Sequence, residues 1–389
     1  MTAAKNIAFK DRWRGENYLF SPAVDFLMTG GGSIVAMIFI LLFVPTTYAQ
    51  ETFEVEFIAL LLFFSIAAET HIFYSLQLLY SSLADKLRNY EDNKTGVIPY
   101  LVIGVILPIV LIIVISIMAF ANPTKLFFIG TGLVIFLAGW HFTKQCYGVW
   151  IYLSVIKKIF YNNLEKRIMK CNIYFIWIAS WLAWSDGYET QAQYLGIGKG
   201  LPIYEALAAV KDFVLYRDVL LISFTLALVI IARKHIKNKT FLSITASCAY
   251  FSVYPIYALT MLSSPLWIIL APGFHALQYI HFVWAYKINE SKYKIDIEKS
   301  EKKSARNKAY VFLAIGILLG WPLFNSFPRF IDFGFDSNFL SPDHPSIAGV
   351  AALFSTCAVI FFNLMHYFTD ALIWRRSNAD AGKYLFYKK

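Results

Sequence analysis

Ten stretches of this 389-residue chain run almost unbroken in apolar side chains, at roughly 23–46, 57–82, 97–121, 126–153, 172–186, 216–233, 241–262, 266–287, 309–327 and 347–374. A helix of about 20 apolar residues spans the hydrocarbon core of a bilayer. The backbone polar groups of such a segment must be satisfied within the segment, so helices are the expected form. Composition agrees: 58% of residues are hydrophobic and 15% charged, where soluble domains carry about a quarter charged. Outer-membrane barrels are excluded, because their strands alternate apolar with polar residues. The expected fold is therefore an all-α, polytopic integral membrane helix bundle, a single transmembrane domain covering 1–389. The fifth stretch is the weakest, being short and interrupted by Asp186 and Gly187.

The loops between these stretches alternate in charge. Cations gather in the N-terminal tail (Lys5, Lys10, Arg12, Arg14), around Lys86, Arg88 and Lys94, and from Lys157 to Lys170. They gather again from Arg233 to Lys239, in the charged loop 288–308, and after Arg375. The other loops are cation-poor: 47–56 has Glu51, Glu54 and Glu56 and no Lys or Arg, while 328–346 sets one arginine against Asp332, Asp336 and Asp343. Cation-rich loops stay on the cytoplasmic side, so ten spans with both termini cytoplasmic are expected. The net charge of +10 is spread over these loops, which argues against nucleic acid as a partner and for contact with membrane lipids. The first twenty residues lack a short hydrophobic core with a cleavage site, so no signal peptide is expected.

No internal repeat, Walker loop or dinucleotide fingerprint occurs. Gly30-Gly31-Gly32 reads as a point of close helix approach. The segment Ile203–Val214 reads as a short amphipathic helix at the outer interface. Cys146, Cys171, Cys248 and Cys357 show no C-x-x-C spacing and read as small core residues.

Ionisable residues inside spans face the bundle interior and mark functional sites. Five of the seven histidines lie in the apolar runs: His71, His141, His275, His281 and His366. His71 and His141 fall about fourteen or fifteen residues in from the outer ends of their spans, near mid-bilayer, and the others lie from the midplane into the inner leaflet. Gln145 follows His141, and Asp370 follows His366, by one helical turn, about 40° apart on one face. His275, Gln278 and His281 fan across an arc of about 120°. Glu69 is about 200° from His71 and is expected to pair elsewhere or with a cation. His235 and His344 are expected in loops, in contact with water.

Imidazoles with carboxylate and amide companions and no thiolate suit iron, copper, manganese or zinc. The five intramembrane histidines are therefore the candidate metal ligands, with Asp370, Gln145 and Gln278 as candidate catalytic companions. Tyr279 and Tyr367, each next to a candidate, and Tyr147, two positions after Gln145, could orient them. The expected cofactor is non-haem iron, with another transition metal or haem as the alternative. The expected activity is that of a membrane oxidoreductase or oxygenase on a lipid-soluble isoprenoid or acyl-chain substrate. Two rival readings remain open: a proton-coupled transporter using buried His and Asp, and a haem protein holding its group between histidines of facing helices, with His141 and His366 as candidates.

The segments GWHFTKQCYG (Gly139–Gly148), FHALQYIH (Phe274–His281) and NLMHYFTDALIWR (Asn363–Arg375) resemble the bacterial β-carotene dioxygenase-like membrane proteins of the Brp/Blh family. That resemblance covers about a tenth of the chain. It implies histidine-bound iron acting on a carotenoid-like substrate in a bacterial inner membrane. The family's His-Gly pair does not occur here, so the substrate itself is not carried over. The H-x-x-x-H and H-x-x-H-H clusters of membrane desaturases are also missing.

Overall fold

The computed structural model describes residues 18–43, 55–88, 94–194, 213–238, 243–254, 270–335, 353–375 and 378–387. Among these the secondary structure is helical, with no strand. In chain order the helices are α1 (Pro22–Phe26), α2 (Gly32–Phe43), α3 (Val55–Arg88), α4 (Lys94–Leu101), α5 (Leu107–Ala121), α6 (Pro123–Ile156) and α7 (Asn163–Tyr194). They continue as α8 (Phe213–Asn238), α9 (Ile244–Phe251), α10 (Leu270–Asp296), α11 (Lys302–Trp321), α12 (Phe327–Phe335), α13 (Leu353–Ile373) and α14 (Ala379–Leu385). Single π-helical turns at Leu27–Gly31, Val102–Ile106 and Pro322–Ser326 join α1 to α2, α4 to α5 and α11 to α12. Pro99 and Pro322 each lie within or beside such a joint, where a missing backbone N–H disturbs the regular ladder.

Seven helices among the described residues are long and apolar enough to cross a membrane: Pro22–Phe39, Leu62–Arg88, Gly96–Ala121, Lys125–Ile156, Asp218–Asn238, Lys302–Phe333 and Leu353–Ile373. They coincide with the expected spans one to four, six, nine and ten, and are compatible with an integral membrane protein. The expected fifth span lies within α7, which runs on to Tyr194. Of the eighth, 270–287 lies in α10, where His275, Gln278 and His281 lower the hydropathy, and 266–269 lies outside the described residues. The seventh is described only as far as Tyr254, and α9 is short. The segment Ile203–Val214 lies, apart from its last two positions, outside the described residues.

The chain forms two compact units. The first comprises Met1–Phe64 and Gly139–His281. Within it α7 packs on α8, and α9 packs against the Leu27–Gly31 turn. Gly30 makes the latter approach possible. Its φ of 142° is one that L side chains rarely adopt, and a Cβ there would stand 2.6 Å from the Cys248 carbonyl oxygen. The glycine run thus brings backbone against backbone. Trp150, 1% exposed, is the centre of an aromatic core, with ring centroids 4.4 Å from Tyr161 and 5.4 Å from Tyr250. Asn172 Nδ2 satisfies the buried polar atoms nearby, at 3.1 Å from the Ser223 carbonyl and at 3.0 and 2.9 Å from the hydroxyls of Tyr250 and Tyr254.

The second unit comprises Ser65–Ala138 and Phe282–Lys389. Its core gathers Ile115, Leu126, Val134, Ile360, Leu364 and Tyr367. Gly316 and Gly320 of α11 let that helix approach α3: a Cβ on Gly316 would meet the Tyr74 ring at 2.0 Å, and one on Gly320 the Thr70 backbone at 2.8 Å. Asp332, expected in an outer loop, sits in α12 and caps α13. It accepts from the backbone N–H groups of Phe354 (2.7 Å) and Ser355 (2.9 Å) and from the Ser355 hydroxyl (2.6 Å).

Candidate metal-binding site

In the second unit, α3 and α13 bring three candidate ligands together. His71 lies on α3, and His366 and Asp370 lie one turn apart on α13. The two imidazoles meet Nε2 to Nε2 at 3.1 Å, edge to face with an interplanar angle of 88°. Asp370 Oδ2 stands 3.7 Å from His366 Nε2. His71, His366 and Asp370 are 3%, 1% and 6% exposed, so the cluster is withdrawn from solvent. Ser75, one turn beyond His71, donates from Oγ to Asp370 Oδ1 at 2.8 Å. That bond holds one carboxylate oxygen in place while the other faces His366.

Ser75 was not among the sequence candidates, although its signal was present. It follows His71 by four residues, the same spacing that singled out Gln145 and Asp370. Tyr367, next to His366, turns its hydroxyl to Asn363 Oδ1 at 3.1 Å rather than to the cluster. Glu69 feels the charge of Arg329, in keeping with a pairing away from His71.

The first unit holds the other candidates. His141 and His275 lie with ring centroids 4.7 Å apart, and Phe142 stacks on His275 at 4.3 Å. Gln145 Nε2 donates to the His275 carbonyl and to Gln278 Oε1, each at 3.0 Å. Gln278 in turn donates to the Thr29 carbonyl at 2.6 Å. The two amides thus form a chain of hydrogen bonds, which fixes their orientation. A small cavity of about 20 Å³, lined in part by His275, Gln278 and Phe142, adjoins them.

His281 has a different partner. Its Nε2 lies 3.0 Å from Asp25 Oδ1, and both side chains are almost wholly buried, at 2% and 1% exposed. Asp25 also accepts from the backbone N–H groups of Leu19 (2.7 Å) and Phe20 (3.1 Å). The aspartate therefore ties the segment preceding α1 to α10. His235, expected in a loop, is instead 7% exposed in the last turn of α8, whereas His344 lies outside the described residues. Of the other residues expected to orient ligands, Tyr147 donates to the Lys166 carbonyl at 3.2 Å and Tyr279 is 3% exposed.

For metal–ligand bonds of about 2.1 Å, adjacent ligand atoms stand about 3.0 Å apart in an octahedron and about 3.4 Å in a tetrahedron, and opposed ones about 4.2 Å. The 3.1 Å between His71 and His366 has the length of such a polyhedron edge. The 3.7 Å to Asp370 is a few tenths of an ångström longer. Two imidazoles and one carboxylate are the donor set of non-haem iron sites that keep open positions for substrate or oxygen. Comparison with family models, with curated proteins and with solved structures finds no match for the chain.

Proposed function

We propose that the chain is an integral-membrane, metal-dependent oxidoreductase, with a non-haem iron held by His71, His366 and Asp370. The observation that carries this reading is the placement of His366, which has His71 Nε2 at 3.1 Å and Asp370 Oδ2 at 3.7 Å, all three buried and in one unit. The resemblance of three histidine-bearing segments to the carotenoid dioxygenase-like family points the same way. A bound iron would supply activation of dioxygen, which suits attack on an otherwise inert isoprenoid or acyl chain. The surrounding residues have separate tasks. Ser75 orients the carboxylate, apolar neighbours keep bulk water away, and Phe324 and Phe362, stacked at 4.0 Å, give the same unit an aromatic interior. A lipid-soluble substrate is favoured because such a molecule reaches a buried intramembrane site from the bilayer. The accompanying topology is ten spans in a bacterial inner membrane with both termini cytoplasmic, supported by the alternation of loop charge.

A second reading is favoured by the same distance. At 3.1 Å the two Nε2 atoms also fit an N–H···N hydrogen bond, and with Asp370 they would make a proton relay in a transporter. Haem bound between His71 and His366 fits less well, because opposed ligands stand about 4.2 Å apart. Metal analysis and an optical spectrum of the purified chain separate the three. About one iron per chain without a Soret band supports the oxidoreductase, and a Soret band selects haem. Metal-free protein after growth and purification with iron supplied would sink the proposal and leave the relay.

A further inference from the structure

A groove of about 600 Å³ in the second unit runs along α11. Lys303, Asn307 and Lys308 line one end of it, and Val311, Phe312 and Ile315 line the other. These residues belong to a single helix face. Ser304, Lys308, Val311 and Ile315 recur at intervals of four, three and four, the spacing of one helical stripe. From Ser304 to Ile315 the helix rises about 16 Å, close to the thickness of one leaflet of a core about 30 Å thick. The polar end lies at the charged loop 288–308 and the apolar end lies within the span Lys302–Phe333. The floor is held by Gln77, whose Nε2 donates to the Phe312 carbonyl at 3.4 Å, and by Tyr74, whose ring stacks on Phe312 at 9°.

We infer that this groove binds one anionic glycerophospholipid, its phosphate at Lys303 and Lys308 and its first chain carbons along Val311, Phe312 and Ile315. Charge complementarity selects the occupant. From Glu301 to Lys308 the chain carries four cations against one carboxylate, and Glu301 sits at the groove's polar end. A zwitterionic headgroup would bring its own cation against this surface, whereas a headgroup with net negative charge would not. Asn307 supplies an amide donor for a phosphate or glycerol oxygen. An apolar wall continuous with the polar one is what a membrane lipid requires and what a free phosphate does not. This inference stands apart from the metal site and does not depend on it.

Native mass spectrometry of the full-length protein in mild detergent tests it, with phosphatidylglycerol or phosphatidylcholine of matched chains added. Phosphatidylglycerol should be retained preferentially. The double variant Lys303→Gln with Lys308→Gln should weaken its binding roughly 30-fold, about fivefold for each lysine, while thermal stability and iron content stay as in the parent. Val311→Gln with Ile315→Gln, both at exposed positions, should weaken it about tenfold through lost apolar burial. Equal retention of the two lipids, or an unchanged signal in the lysine variant, overturns the inference. So does full displacement by glycerol phosphate at the same concentration, which would mark a phosphate site with no use for the apolar wall.

Discussion

Ser75 on α3 donates a 2.8 Å hydrogen bond to Oδ1 of Asp370 on α13, 295 positions later in the chain. The aspartate accepts that bond at one oxygen, and its other oxygen faces His366 at 3.7 Å. A carboxylate arranged in this way can serve as a ligand with a fixed angle of approach. It also links the two helices that carry the histidine pair.

Iron content across a small variant series follows from that arrangement. If the proposed site holds iron, His366→Ala and Asp370→Asn should each remove it from the purified protein, because both side chains would supply ligand atoms there. Ser75→Ala should leave a weaker site, with affinity lowered about 10- to 100-fold by loss of the orienting bond. His281→Gln should leave iron in place and lower the melting temperature instead, because His281 faces Asp25. Equal iron in the parent and in His366→Ala would exclude His366 as a ligand.

Gly316→Ala should destabilise the protein by about 1–3 kcal/mol through overpacking. The added Cβ would lie 2.0 Å from the ring of Tyr74, which is fully buried. That ring is held by its hydroxyl donating to the Leu313 carbonyl at 2.7 Å and accepting from Trp284 at 3.2 Å. Gly132→Ala and Gly148→Ala meet nothing within 4 Å and should be neutral or slightly stabilising, since alanine is the better helix former. Thermal unfolding in detergent compares the three. A Gly316→Ala protein as stable as the Gly132→Ala protein would show that α11 and α3 are not tightly apposed.

Glu290, at the charged end of α10, gives a pH-dependent contribution. Burial pushes its carboxyl up, but Lys287 and Lys294, bonded at 2.5 and 2.6 Å, outweigh burial and hold it below its ordinary value. A carboxyl depressed on folding stabilises the folded state above its unfolded value of about 4.3, and the contribution is lost as pH falls through the depressed value. Lys294 is raised, burial notwithstanding, chiefly by Glu290. Its contribution is present below about 10.4 and lost above the raised value. Melting temperature should therefore fall on acidification less steeply in Glu290→Gln than in the parent. Parallel curves for the two would show that this trio contributes nothing to the acid limb.

Single cysteines placed at Glu51 and at Lys299, in a background lacking the four native cysteines, should label from opposite sides of the membrane. A membrane-impermeant thiol reagent should reach Glu51→Cys from outside and Lys299→Cys only after the membrane is opened. Labelling of both from one side would overturn the topology drawn from loop charge.

The helical class and most of the apolar helices were legible in the sequence, because a bilayer leaves a chain few ways to satisfy its backbone. Helical spacing also placed His366 with Asp370 and Gln145 with His141 on common faces, as local geometry alone requires. What the sequence by itself could not determine was the partner of each face. Five histidines on four helices read as one set at matched depth; within one unit the tertiary structure sets His71 against His366, and within the other His141 beside His275. It sends His281 to Asp25, 256 positions earlier. Periodicity fixes the angle of a side chain about its own helix axis. Which neighbouring helix stands at that angle depends on how small residues such as Gly30, Gly316 and Gly320 let helices approach, and that is settled only when the chain is folded.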